Sequence, residues 1–348
     1  MATSLQSIVA SNTGSDDWSK AGNWLASEPN ATGATAVFGS AITAPRTITL
    51  NASRSLGRMR IDNANRYTIA GSGSLSFSDP SGTSTLEVLS GNHTVDVPIA
   101  LTQNATFSIS AGSSLVTSNQ ISTSSAITKT GSGTLDVRNI RAASLNVSAG
   151  TVSVRTNGND TGTSKVQSLA IAAAASLDLN DNDLITANGN YNAVTSLIRT
   201  ARNGGLWNQA GLTSSAAANA NPKNRTLGAL TGAEFHTAQG AAASFDGFTV
   251  ADSDVLVKYT YYGDTDFNGL VDFDDYSRID AGFNNNRTGW FNGDFDYNGV
   301  VDFDDYSLID QAFNTQSGTL RSAIAVPEPR LMLAVLVLAP LIRRRRRL

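Results

Sequence analysis

Carboxylates repeated at fixed spacing are the most chemically informative residues of this chain. Residues 264–275 read Asp264-Thr265-Asp266-Phe267-Asn268-Gly269-Leu270-Val271-Asp272-Phe273-Asp274-Asp275. The plan returns at 294–305 as Asp294-Phe295-Asp296-Tyr297-Asn298-Gly299-Val300-Val301-Asp302-Phe303-Asp304-Asp305. Oxygen-bearing side chains fall at positions 1, 3, 5, 9 and 12 of each window, with glycine at 6. Calcium is a hard cation that takes six to eight oxygens, and a loop winding round it offers alternate side chains. The candidate ligands are therefore Asp264, Asp266, Asn268, Asp272 and Asp275, and in the second copy Asp294, Asp296, Asn298, Asp302 and Asp305. Leu270 and Val300 would supply only main-chain carbonyls, which leaves their side chains free to be apolar. Gly269 and Gly299 stand where the loop must turn sharply. The cofactor expected is Ca2+, two ions, with Asp275 and Asp305 as bidentate ligands. Val271 and Val301 suit a short strand pairing the two loops.

Each loop runs into Tyr-Ser-x-Ile-Asp-x-x-Phe-Asn, at 276–284 and 306–314. Phe273, Tyr276, Ile279 and Phe283 recur at helical spacing, as do Phe303, Tyr306, Ile309 and Phe313, which predicts one apolar helix face in each copy. A duplicated EF-hand-like loop with a single exiting helix, and Asp rather than Glu at position 12, resembles the dockerin type I module over roughly 262–315. That family binds cohesin domains, so the resemblance implies a cohesin-like protein partner. Phe273, Asp274, Phe303 and Asp304 occupy positions 10 and 11 and are the partner-binding candidates. The cellulosomal members usually carry small hydroxylated residues there, which points away from a cellulosomal cohesin. The alternative is an acidic loop pair that binds nothing. Against it, residues 263–314 hold twelve Asp and two Arg in a chain of formal net charge −4. Crowded carboxylates repel unless a cation neutralises them, so calcium binding and folding of this segment should be coupled.

Length and composition bound the rest. The 348 residues allow two or three domains, and only 16% are charged. The abundance of Ser, Thr, Asn, Ala and Gly suits a secreted β-rich protein. Without cysteine there is no disulfide, thiolate nucleophile or cysteine zinc site. The acidic balance gives no nucleic-acid footprint. Met1 to Ala10 lacks a charged n-region and an apolar h-region, so the expectation is an upstream leader outside this reading frame, the alternative being leaderless export.

From 46 to 185, short segments alternate apolar with small polar residues, such as Gly73-Ser-Leu75-Ser-Phe77 and Gly150-Thr-Val152-Ser-Val154. Period two marks half-buried strands. A right-handed parallel β-helix and an antiparallel sandwich both fit; the weak repetition of Gly-x-Leu-x-Val favours the solenoid. Ile127-Thr-Lys-Thr-Gly-Ser-Gly-Thr-Leu135 resembles the autotransporter-associated β-strand repeat. Trp18 to Leu75 is similar to the β-rich exported proteins of Planctomycetes that carry this repeat. The resemblance implies a surface stalk. Trp18 and Trp24 are expected to close an open end of this structure, the alternative being a stacked carbohydrate platform. Among the acids of this region only Asp178, Asp181 and Asp183 bunch, which reads as a solvated turn or end-cap rather than a catalytic pair.

The division is then an N-terminal cap at 1–45, a β-solenoid at 46–185 and an α/β adaptor at 186–262. A dockerin-like calcium module at 263–315, a linker at 316–325 and a sorting tail at 326–348 follow. In the adaptor, 193–202 reads as a short helix and 248–250 and 255–261 as strands leading into Asp264. The tail holds Pro327-Glu328-Pro329, an apolar run from Leu331 to Ile342, and Arg343, Arg344, Arg345, Arg346 and Arg347. It resembles the PEP-CTERM sorting signal, which implies cleavage near Pro-Glu-Pro by an exosortase-type protease. A twelve-residue apolar run spans about 18 Å as helix against a hydrocarbon core of about 30 Å, so membrane association would be transient. These features predict an exported, non-enzymatic cell-surface protein that attaches to a protein partner. The alternative is a polysaccharide-binding or polysaccharide-degrading protein recruited to a complex through its dockerin.

Overall fold

The structure is a computed structural model that describes residues 6–7 and 16–321. Its body is mainly β, a parallel solenoid of about seven coils. Each coil contributes three short strands, as in Arg54–Leu56, Arg58–Asp62 and Tyr67–Ala70, followed one coil later by Leu75–Phe77, Thr83–Ser90 and Asn92–Val95. Corresponding strands stack in register: Leu56 against Phe77, Met59 against Leu86, and Ile69 against Val95. All ladders from 35 to 186 are parallel, so the antiparallel sandwich is not the architecture.

Stacking explains the alternation. Inward positions form columns running the length of the solenoid, such as Ile48, Ile69, Val95, Thr117, Val137 and Val154. The parallel column Ala36, Met59, Leu86, Phe107, Lys129 and Val147 is equally buried, with one lysine in an apolar file. Lys129 resolves this by donating from Nζ to the carbonyls of Thr130, Gly131 and Ala149, at 2.9, 2.7 and 3.2 Å. Burial pushes its pKa down to about 8.

At the first end, Trp18 and Trp24 are buried, their rings 5.1 Å apart, and Trp18 continues onto Phe38 at 5.6 Å. Neither ring is a surface platform. At the far end, helix Tyr191–Arg202 lays Val194, Ile198 and Ala201 against the last coil. Strand Val255–Tyr261 runs antiparallel to Leu184–Thr186 and to Arg225–Thr231, and so carries the solenoid sheet straight into Asp264. The turn holding Asp183 is not solvated. Asp183 is fully buried, pairs with Lys258 at 3.1 Å and with Arg321, and accepts from the Tyr259 N–H at 2.9 Å. Burial alone would raise its pKa; the Lys258 and Arg321 charges outweigh that and hold it below the usual carboxylate range.

Both histidines are structural in this frame. His93 is buried, and its Nδ1 accepts from the Tyr67 N–H at 3.0 Å. His236 pairs with Asp252 at 2.6 Å.

Candidate metal centre

Two helices define the far edge of the site, Phe273–Asn284 and Phe303–Thr315. Both begin with a reciprocal cap. Asp272 accepts from the Asp274 N–H at 2.9 Å, while the Asp275 carboxylate turns back to the Asp272 N–H at 2.9 Å. In the second copy Asp302 accepts from Asp304 and Asp305 from Asp302, at 2.9 and 3.0 Å. Turning back aims Asp275 and Asp305 into the loops, where they also accept from the N–H groups of Thr265 at 2.8 Å and Phe295 at 2.7 Å. The loops bend through left-handed backbone at Gly269, φ 84°, and Gly299, φ 92°, a region a side chain would strain.

The chain thereby converges two carboxylate triads. Asp264, Asp266 and Asp275 bring one oxygen each within 4.8 Å of one another, and so do Asp294, Asp296 and Asp305. Asp264, Asp275 and Asp305 have no solvent exposure at all. Burial, then the charges of Asp275 and Asp266, push Asp264 well above the carboxylate range. Burial likewise pushes Asp275 and Asp305 up to about 7. Asp294 is 4% exposed, yet its Oδ1 has no hydrogen-bond partner. An orphaned buried oxygen beside two further carboxylates costs free energy unless a proton or a cation meets it. The residues present therefore fit an oxygen-seeking ion.

No family model, no curated protein and no solved structure matches this chain.

The remaining candidate ligands lie in the same loops with oxygens partly committed. Asn268 Oδ1 accepts from the Leu270 N–H at 2.8 Å, and Asn298 Oδ1 from the Val300 N–H at 2.7 Å. Asp272 and Asp302 use Oδ1 as helix caps. The side chain of Leu270 is half-buried and that of Val300 is 55% exposed.

The two loops are not equivalent, which the repeated motif does not announce. Arg278 places Nη1 3.5 Å from Asp266 and 3.6 Å from Asp275, supplying an internal cation to the first triad. The second copy has Leu308 at the matching position. The segment after the second helix also closes the first loop. Gln316 accepts from the Val271 N–H at 2.9 Å and donates to the Val271 carbonyl at 2.8 Å, and the Leu320 N–H donates to the Gly269 carbonyl at 2.8 Å. Val271 and Val301 therefore do not pair as a strand; the Gln316 amide fills the role on the first loop instead.

The expected helix faces meet each other in part, Tyr276 packing on Phe313 at 5.6 Å and Phe283 on Phe303 and Tyr306 at 5.8 Å, while their outer rings stay accessible. Ile279 and Ile309 are fully buried, but Phe273 is 81% and Phe303 76% exposed, and Phe283 and Phe313 are exposed too. The buried face runs through Asp275, Ile279 and Gly282, rotated toward the loop because Asp275 must reach the triad. The helices meet through paired contacts: Tyr276 Oη donates to Asp310 and Tyr306 Oη to Asp280, both at 2.6 Å. Phe273, Asp274, Phe303 and Asp304 all lie on the surface.

Trp290, in the insert between the copies, is the residue that sequence reasoning missed. It is buried, stacks on Tyr297 at 5.7 Å, and donates from Nε1 to the Asp264 carbonyl at 2.8 Å. Tyr297 in turn donates to the Leu227 carbonyl at 2.8 Å, and Gly228 admits Trp290 so closely that a Cβ would meet its ring at 2.7 Å. A Trp290-Phe291 pair in a connector otherwise built of Asn, Arg, Thr and Gly is the signal that could have marked it.

Pro327, Glu328, Pro329 and Arg343 to Arg347 lie outside the described residues. Among the described residues no helix is long and apolar enough to cross a membrane.

Proposed function

We propose that this chain is an exported, non-enzymatic surface protein that attaches to a partner protein through a calcium-stapled, dockerin-like helix pair. The observation that carries this reading is the duplicated triad of buried carboxylates immediately behind exposed Phe273 and Phe303. Asp264, Asp266 and Asp275 would hold one Ca2+, and Asp294, Asp296 and Asp305 the other, with Asn268, Asp272, Asn298 and Asp302 completing the sets around the Leu270 and Val300 carbonyls. The ions supply charge neutralisation, so the two loops can fold and present their helices in a fixed relation. Exposed aromatic rings rimmed by Asp274 and Asp304 are the kind of surface a protein partner buries. A cohesin-like domain is the partner expected from the resemblance. The solenoid serves as the displayed body, and the tail carrying Pro327-Glu328-Pro329 as the sorting signal.

The test uses the full chain, immobilised, against surface extract of its own source organism. A protein retained in calcium, released by chelator, and not retained by the Phe273→Ser, Phe303→Ser double variant is the expected result. Retention indifferent to both chelator and the variant would reject the docking assignment. Mass spectrometry of the exported protein should find an end near residues 326–330; an intact Leu348 terminus would reject the processing step.

A further inference from the structure

One outward column of the solenoid changes character along its length. It runs Ser55, Ser76, Ala100 and Ser122, then Arg141 and Lys165. Four rungs of small side chains form a flat track about 15–20 Å long at the usual strand spacing. Arg141 and Lys165 then stand directly opposite each other on neighbouring strands, an arrangement of like charges that destabilises a sheet. Both lie over one ring, Arg141 Cζ 4.9 Å and Lys165 Nζ 5.4 Å from the centre of Phe248. Arg138 joins Arg141, Phe248 and Gln120 around a recess of about 490 Å³.

The charges in this recess do not balance internally. Among the described residues, Arg138 and Arg141 of the recess have no ion-pair partner, nor does Lys165 beside it, whose Nζ donates to the Thr249 carbonyl at 3.4 Å. The two acids of the recess, Asp160 and Asp246, are both held by Arg321, at 3.5 and 3.7 Å. Arg141 Nε is buried without a hydrogen-bond acceptor. Burial, and then the neighbouring Asp183 carboxylate, push the Asp246 carboxyl upward, which lessens its opposition to an incoming anion. Three cations without counterions beside a buried open donor mark an anion site in a chain that is acidic overall.

We propose that this recess, with the track leading into it, binds an acidic polysaccharide. Arg138, Arg141 and Lys165 meet its carboxylate or sulfate groups, and Ser122 and Gln120 meet its hydroxyls. The track favours an extended polymer over a small free anion. Among the described residues no row of exposed aromatic rings accompanies it, which disfavours stacking of nucleic-acid bases. The site is distant in sequence from the calcium loops and independent of their assignment.

The experiment is affinity electrophoresis of the full chain through gels holding polygalacturonate, dextran sulfate, single-stranded DNA or neutral dextran. Retardation by an acidic polymer but not by neutral dextran is expected, weakening as salt rises. Retardation by one acidic polymer alone assigns the group recognised; retardation by both assigns anion recognition in general. Arg138 is exposed, so Arg138→Gln should leave the circular dichroism spectrum unchanged and weaken retention about tenfold, the effect of one lost charge-assisted contact. The triple variant with Arg141→Gln and Lys165→Gln should abolish it. Asp264→Ala with Asp294→Ala should retain it, which separates this site from the calcium loops. Absence of retardation by both acidic polymers would overturn the proposal. So would retention that Arg138→Gln and the triple variant leave unchanged, or equal retention by single-stranded DNA.

Discussion

Asp275 and Asp305 each sit in the first turn of a helix, where the macrodipole favours negative charge, yet burial pushes both up to about 7. Desolvation wins, and the sign of the pH dependence follows. Without metal the folded loops favour the protonated acids. That stabilisation is full below the ordinary value of 3.8 and is lost as pH rises to about 7. A cation bound there would replace the protons, so its benefit should grow across the same window. The rise in melting temperature on adding calcium is expected to increase from about pH 4 to about pH 7; an increment independent of pH would contradict it. Arg278 gives a second prediction at this scale. Because it already compensates the first triad, Arg278→Leu, which copies Leu308, should tighten calcium binding at the first loop and leave the second unchanged by calorimetry. Weaker binding would show that Arg278 organises the loop rather than competing for it. The spacing of acids made the loops legible in the sequence. The Arg278 contact was only half legible: Asp275 lies one turn away on the same helix, but Asp266 is brought to it only when the loop folds back.

Whole strands and helices were legible where one face is wet. Period two in Leu75-Ser76-Phe77 or Val152-Ser153-Val154 reports one buried and one outward face, and these became strands. Strand Arg225–Thr231 escaped because Leu227, Gly228, Ala229 and Leu230 are buried on both faces, which erases the alternation. Helix Gly232–Gln239 was missed as well, although Thr231 and Glu234 form the capping box that opens it, at 3.2 and 2.8 Å. Lys129 illustrates the same limit, since a lysine at an inward position breaks the pattern and only three facing carbonyls explain it. Lys129→Met keeps the volume but strands those carbonyls, and should cost about 2–4 kcal/mol in denaturant melts. A cost near zero would show that the apolar file never needed the ammonium. Phe107→Ala, one coil away in the same file, should cost about 3–5 kcal/mol through the cavity it leaves.

Across the whole molecule, the acidic segment is a continuation of the solenoid rather than a bead on a string. The sheet enters it through Val255–Tyr261, Trp290 and Tyr297 pack it onto the adaptor, and Arg321 ties the chain beyond it back to buried Asp183. Metal loss should therefore loosen the adaptor end while the stacked coils persist, giving two separated transitions in chelator and closer ones in calcium. Each ion present at about 100 times its dissociation constant would add about 2.7 kcal/mol to the folded state. The central claim, that the paired triads are calcium sites which hold this end together, is tested most directly by thermal melts of the full chain with calcium and with chelator. Calcium should raise the melting temperature and the helical signal of the native protein, and Asp264→Ala with Asp294→Ala should remove both gains. Identical melts in calcium and chelator would contradict it.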